Sequence, residues 1–216
     1  MSQIKAVIFD IDDTLTQKNS WAEVAVGMGA THAEDLEIYY MHKEGKLTDR
    51  EADDKILAMW KRKGLGTKEN FEKIFNAIPL RDDALDLIQY FKQKKIIVCL
   101  ITGSMDMYAK IIAEKVQADA FYFNADLHWD EGGKIIDFDY KVNQGALKLT
   151  QFQDFCQKNN LKSEECVVVG DSENDHLLFL ETKKGIAVRT KVEDKTLEQI
   201  AWKVIDNLSE IKDIIK

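Results

Sequence analysis

The run Val7-Ile8-Phe9-Asp10-Ile11-Asp12-Asp13-Thr14-Leu15-Thr16 constrains this chain more than any other stretch. Ala6 to Phe9 has the length and composition of a strand buried on both faces, and it stops abruptly at three carboxylates, Asp10, Asp12 and Asp13. Like charges this close either raise one another's pKa or hold a cation, and a hard dication with oxygen ligands neutralises them most simply. In an extended chain Asp10 and Asp12 share one side while Ile11 faces the other, so both carboxylates can address one reacting centre. An acidic turn after a strand is the plainer alternative if this stretch is taken alone.

A length of 216 residues allows one sizeable core, or a core plus a small second unit. The net charge of −8 and pI near 5.1 argue against nucleic acid or an anionic membrane as the main partner. Any phosphate binding must then be local, built from a few donors and a metal. No run of 18 apolar residues occurs, and the opening residues read as the approach to a strand rather than a signal peptide. A soluble, cytoplasmic protein is expected. Cys99, Cys156 and Cys166 lack metal-type spacing and read as buried free thiols.

Residues 19–77 change period. Apolar positions recur at helical spacing, as in Ile56, Met59 and Trp60, and glycines at 27, 29, 45, 64 and 66 punctuate them. Three or four short helices fit, with Ser20 as the first cap, Thr48 and Glu51 as a capping box, and Thr67 with Asn70 as a weaker start. Trp21, Met28, Met41 and Trp60 are candidate core of this unit. The expected division is therefore an α/β core of residues 1–18 and 78–216, and a helical insertion of residues 19–77.

After Pro79 the chain alternates. Helices are expected over 82–94, with Leu85, Ile88 and Phe91 on one face, and over 105–116 and 144–159. Strands are expected at 96–101, 120–123, 166–169 and 185–188, with a hairpin at 127–138. Such alternation indicates a parallel sheet covered on both faces. Three strands end in polar chemistry: Asp10 and Asp12; Thr102-Gly103; and Asp171 with Asp175. In open parallel sheets, sites form beyond the carboxyl ends of the strands where strand order reverses. The three clusters should meet there. Lys148, near the start of its helix, adds a positive charge.

Taken together, Asp10-Ile11-Asp12-Asp13-Thr14, Thr102-Gly103, Lys148 and Gly170-Asp171-Ser172-Glu173-Asn174-Asp175 resemble the four ordered motifs of the haloacid dehalogenase superfamily of phosphatases. The insertion between the first two motifs resembles the small helical cap of the phosphoserine-phosphatase-like branch. This resemblance implies a Rossmann-like three-layer core and a phosphate monoester substrate. It implies Asp10 as nucleophile and Asp12 as acid and base. Mg²⁺ would be held by Asp10, the Asp12 carbonyl, Asp171 and Asp175, and the phosphate by Thr102, Gly103, Lys148 and Asn174. Asp13 is expected to brace the turn. His128 and His176 have no partner pattern and read as structural or surface residues.

Two positions depart from that branch. Its ammonium-binding glutamate aligns with Asn19, and its carboxylate-binding arginine falls near Asp54, with Arg50 one turn away as a conceivable substitute. Phosphoserine is therefore disfavoured. Hydrolysis of a small phosphorylated metabolite leads; phosphoryl transfer to an acceptor alcohol, or a non-catalytic Mg²⁺-binding interaction protein, are the alternatives.

Overall fold

The computed structural model describes residues 3–191 and 194–215. The chain begins with β1 (Ala6–Phe9), followed by the helices α1 (Ser20–Gly27), α2 (His32–Lys43), α3 (Asp49–Trp60), α4 (Lys68–Ala77) and α5 (Ala84–Gln93). It continues through β2 (Ile97–Ile101), α6 (Asp106–Val116), β3 (Ala120–Tyr122), the hairpin strands β4 (Asp126–Trp129) and β5 (Ile135–Asp139), and α7 (Gln144–Lys158). The last elements are β6 (Cys166–Gly170), α8 (His176–Thr182), β7 (Gly185–Val188), α9 (Lys195–Ile200), β8 (Lys203–Ile205) and α10 (Ile211–Ile214).

Six strands make one parallel sheet in the order β3-β2-β1-β6-β7-β8, so β1 sits inside it between β2 and β6. Its continuous apolar run is explained by that position. Val7 and Phe9 join Val98, Leu100, Val167 and Val169 in a core with Leu87, Ile88 and Phe91 of α5, Ile112 of α6 and Ile211 of α10. Ala6 and Ile8 turn to the opposite face. There they join Cys99, Ile101, Cys166 and Val168 against Phe152 and Phe155 of α7 and Leu178 and Phe179 of α8. The result is the Rossmann-like three-layer arrangement, with the strand order reversing at β1 and β6.

Four helices, α1 to α4, lie between β1 and α5. Thr48 and Glu51 form the expected capping box, and the Thr67 hydroxyl accepts from the Asn70 amide. The first cap differs from expectation. Asn19 takes the extended cap conformation and accepts from the amides of Trp21 and Ala22, while Ser20 is already helical and its hydroxyl goes elsewhere. Thr31 and Glu34 add a capping box not read from the sequence. Met28 and Trp60 are buried; Trp21 and Met41 are partly exposed. In α5, Leu85 faces solvent because the buried face runs through Ala84, Leu87, Ile88 and Phe91.

The insertion is not a separate core. Its buried Val24, Leu57, Trp60, Phe71 and Phe75 join the α5–α6 side of the sheet in one cluster, and Phe75 meets Tyr108 of α6 at 5.1 Å. The β4–β5 hairpin docks on it as well. Trp60 lies 4.9 Å from Phe138 and Phe71 lies 5.2 Å from Trp129, and the Ile135 amide donates to the Gly66 carbonyl at 2.9 Å. Hairpin composition was legible, but its docking depends on long-range aromatic matching. Where the chain enters and leaves the insertion, Thr16 and Leu80 form an antiparallel bridge, and the Gln17 amide donates to the Pro79 carbonyl at 3.2 Å. All three cysteines are buried and free. Among the described residues no helix is long and apolar enough to cross a membrane.

Trp60 is fully buried and ties α3 to Phe71 and the hairpin. Truncation of such a side chain leaves a cavity, so Trp60→Ala should cost about 3–5 kcal/mol in a denaturant titration. A cost below about 1 kcal/mol would show that the hairpin is held by other contacts.

Candidate active site

Asp10 follows the last residue of β1, and its amide donates to the Val169 carbonyl at 2.9 Å, which extends the β1–β6 ladder. The carboxylate is thereby held at the switch point of the sheet. It is almost wholly buried, and Lys148, itself buried, places its ammonium 2.9 Å from Asp10 Oδ1. Lys148 also donates to Asp175 Oδ1 at 2.8 Å and to Asn174 Oδ1 at 2.7 Å.

Asp175 reaches inward from the turn after β6. Its Oδ2 accepts from the Asp171 amide at 3.2 Å. This fold-back requires glycine at 170, because a Cβ there would overlap the Asp175 carboxylate. Asp171 is fixed from the other side by the Thr14 hydroxyl, which donates to its Oδ1 at 2.8 Å. One ligand atom from each of Asp10, Asp171 and Asp175 lies within 4.8 Å of the others.

The remaining predicted residues lie in the turns that follow β1, β2 and β6. Asn174 Nδ2 donates to Gln144 Oε1 at 3.1 Å, and Gln144 lies so close over Gly103 that a Cβ at 103 would collide with it. Thr102 is buried, and its hydroxyl oxygen accepts from the Ser104 amide at 3.2 Å. Asp12 is gripped twice by Ser20, whose hydroxyl donates to Oδ2 at 2.6 Å and whose amide donates to Oδ1 at 3.0 Å. Asp13 adopts φ 57°, and its carbonyl accepts from Arg81 Nη2 at 2.7 Å, as befits a turn brace.

Every residue named from the sequence motifs is therefore at this edge. Ser20, Ser104 and Gln144 were missed, and Thr14 was named within the first motif without a role. Gln144 carried a signal, since it precedes Lys148 by one helical turn on α7 and shares its face. Thr14 and Ser104 are ordinary hydroxyl residues whose partners Asp171 and Ser20 lie far away in sequence, and Ser20 has the residue type of a helix cap. His128 pairs with Asp139 on the exposed hairpin and His176 faces Asp194, so neither belongs to the cluster.

The electrostatics follow from burial. Desolvation pushes Asp10 up to about 6; Lys148 opposes this and Asp175 adds to it. Desolvation likewise pushes Asp12 up to about 7, against the Ser20 hydrogen bond and with the push of Asp10. Asp171 is raised by burial, then by Asp10 and Asp175. Burial alone would lower the Lys148 pKa, but the two aspartates outweigh it and hold the ammonium above its ordinary value. One lysine does not balance three clustered carboxylates, and Asp10 Oδ1 is buried without an aligned hydrogen bond. An all-oxygen donor set in this state fits a hard divalent cation.

The model of the haloacid dehalogenase-like hydrolase family matches residues 7–179. The chain is 28% identical over 220 residues to a phosphoserine phosphatase of Campylobacter jejuni subsp. doylei, covering 99% of both chains. It is 24% identical over 187 residues to a phosphoserine phosphatase of Archaeoglobus fulgidus, covering 87% of this chain but only 53% of that relative. Among solved structures, a phospho-aspartyl intermediate analogue of phosphoserine phosphatase superimposes with TM-score 0.78 at 25% identity, over the full length of both chains. A HAD family hydrolase from Salmonella enterica gives 0.81 at 20% identity, over 94% of this chain and 68% of that one, a likeness of fold.

Asp10 and Asp12 hold protons more tightly in the folded chain than at the unperturbed value of 3.8. Between about pH 4 and 7 the folded state binds more protons than the unfolded one, so stability falls as pH rises through that window. Metal-free protein should unfold at a higher temperature near pH 5 than near pH 7.5. A divalent cation should raise the midpoint more at the higher pH. A metal-free midpoint that climbs over this interval would contradict the buried carboxylate cluster.

Proposed function

The chain belongs to the haloacid dehalogenase-like hydrolase family, and on that footing we propose that it is a Mg²⁺-dependent phosphatase that cleaves a small phosphate monoester through an aspartyl-phosphate. The observation that carries this reading is the pairing of two aspartates in different environments at one sheet edge. Asp10 is locked against Lys148, while Asp12, two residues on, is pushed up to about 7 and held by Ser20. One is suited to attack and the other to move a proton.

Asp10 attacks phosphorus and forms the acyl-phosphate as the ester bond breaks. Asp12 gives its proton to the departing alkoxide, then takes one from the water that hydrolyses the aspartyl-phosphate. The Thr102 hydroxyl, the Gly103 amide, Lys148 and Asn174 bind the phosphoryl oxygens as their charge redistributes. Asp10, the Asp12 carbonyl, Asp171 and Asp175 would hold Mg²⁺, which when bound offsets the repulsion between an anionic carboxylate and an anionic phosphate. Residues 19–77 form a cap over this centre, excluding water during the first transfer.

The cap also bears on substrate. Asn19 spends its side-chain oxygen on the amides of Trp21 and Ala22. Asp54 is exposed and paired with Arg50 at 2.9 Å, and Arg50 also lies 3.5 Å from Asp137 of the hairpin. An ammonium and a carboxylate on the substrate thus find no evident partners at these positions. We therefore read the substrate as a small cytoplasmic phosphorylated metabolite other than phosphoserine, with no nucleic acid or membrane partner.

Phosphate release should be measured across a metabolite panel that includes phosphoserine, with and without Mg²⁺, for wild type and Asp10→Asn. Release should require the metal, and Asp10→Asn should lower kcat by on the order of 10³-fold or more, the scale typical of losing a nucleophile. Phosphoserine should rank below the best substrate. Activity in Asp10→Asn within about tenfold of wild type would move the nucleophile elsewhere.

A further inference from the structure

We propose that Ser20, backed by Ser104, is a positioning residue that fixes the Asp12 carboxyl for proton delivery to the leaving alcohol; this rests on the phosphatase reading above. Ser20 and Ser104 are both fully buried, and neither belongs to the motifs that identified the site. Ser20 supplies two donors to one carboxyl group, its hydroxyl to Oδ2 at 2.6 Å and its amide to Oδ1 at 3.0 Å. Two donors from one rigid residue pin both the plane and the rotation of that carboxyl.

The hydroxyl has a single hydrogen. Because Ser20 directs it to Asp12, the Ser104 hydroxyl, 2.5 Å away, must donate to Ser20 Oγ. The Ser104 amide in turn donates to Thr102 Oγ1 at 3.2 Å. Ser104 thus bonds on two sides, through its amide to the phosphate-binding Thr102 hydroxyl and through its own hydroxyl to the serine that holds the proton-transferring carboxyl. Tyr108, fully buried, lies on the same side, and its hydroxyl donates to Thr16 Oγ1 at 3.2 Å.

The competing explanation is structural: Asp12 could merely satisfy an open amide at the start of α1. Asn19 takes the Trp21 and Ala22 amides and Asp12 Oδ1 takes the remaining Ser20 amide, so capping accounts for one Asp12 oxygen and not for the Ser20 hydroxyl on the other. The Ser104 hydroxyl also contributes nothing to the cap. Among the described residues its side-chain hydroxyl bonds to Ser20 Oγ, which places it where it can restrict the Ser20 rotamer.

The two explanations separate by leaving group. A nitrophenolate departs without a proton, whereas an alkoxide needs one. The value of kcat/KM reports phosphoryl transfer to Asp10, before Asp12 acts as base. Ser20→Ala, Ser104→Ala and Ser20→Thr should be assayed with Mg²⁺ on p-nitrophenyl phosphate and on the best alkyl phosphate of the panel. Misplacing a catalytic group is costly, so Ser20→Ala should lower the alkyl-to-aryl ratio of kcat/KM by about ten- to a hundredfold. The loss should fall on kcat rather than KM. Ser104→Ala should lower the ratio less, and Ser20→Thr should restore it to within about threefold.

An unchanged ratio in Ser20→Ala, whether activity is retained or falls in parallel on both esters, overturns the positioning role and leaves the phosphatase reading intact. Ser20→Thr behaving like Ser20→Ala overturns it too. If Ser20→Ala does not fold, Ser104→Ala decides: a lowered ratio supports the role and an unchanged one overturns it. A wild type that cleaves neither ester overturns the phosphatase reading, and the positioning role with it.

Discussion

Three clustered carboxylates, two of them paired with one ammonium and all largely out of water, set the terms for the rest of this molecule. At a separation near 4 Å, each like-charged pair costs about 4 kcal/mol even with the generous screening of a protein surface. Asp10, Asp171 and Asp175 bring their ligand atoms within 4.8 Å of one another, and Lys148 can answer only part of that repulsion. Such a cluster persists only if the backbone beneath it cannot give way. The two strands that deliver it, β1 and β6, are buried along their whole length and paired to each other. The apolar runs before the acidic turns and the acidic turns themselves are thus one device, in which the sheet supplies the rigidity that the charges would otherwise spend.

The same reasoning explains what could be read from sequence. A doubly buried strand announces itself by an unbroken apolar run, and polar residues at its carboxyl end have one place to go, so Asp10, Thr102 and Asp171 were legible from local pattern. Lys148 was legible only because those clusters gave it a destination. Ser20 was misread because its type suits a helix cap, and nothing local reveals that Asn19 takes the cap while Ser20 turns to Asp12. Ser104 bonds across the fold, where chain order carries no signal, and Thr14, though it stood in the first motif, showed nothing of its bond to Asp171 for the same reason. Leu85 was misassigned for a different reason: apolar residues at 84, 85, 87, 88 and 91 allow two overlapping faces, and only packing against the sheet selects Leu87 over Leu85.

The helices between β1 and α5 show how unlike two sides of one attachment can be. Beside α6 the contact is aromatic and buried, through Phe75 and Tyr108, and continuous with the main core. Burial of large aromatic side chains contributes several kcal/mol. On the side of the turn after β6, α2 contributes Lys43, which meets Glu173 at 3.5 Å with both side chains mostly exposed. An exposed pair of that kind is worth at most about 1 kcal/mol and weakens with salt.

That asymmetry bears on the chemistry because of where Ser20 sits. It is the first residue of α1 and yet holds the Asp12 carboxyl, so the orientation of that group is set by the helical insertion as much as by the sheet. Asp10 has no such dependence; its anchors are β1, β6 and Lys148 of α7, all within the sheet and its covering helices. Asp10 is therefore fixed by the part of the fold that resists displacement, while the Asp12 carboxyl is fixed through the helical insertion. In such an arrangement a displacement of the insertion can release the Asp12 carboxyl without any change at Asp10, since only the grip on Asp12 needs the insertion in place.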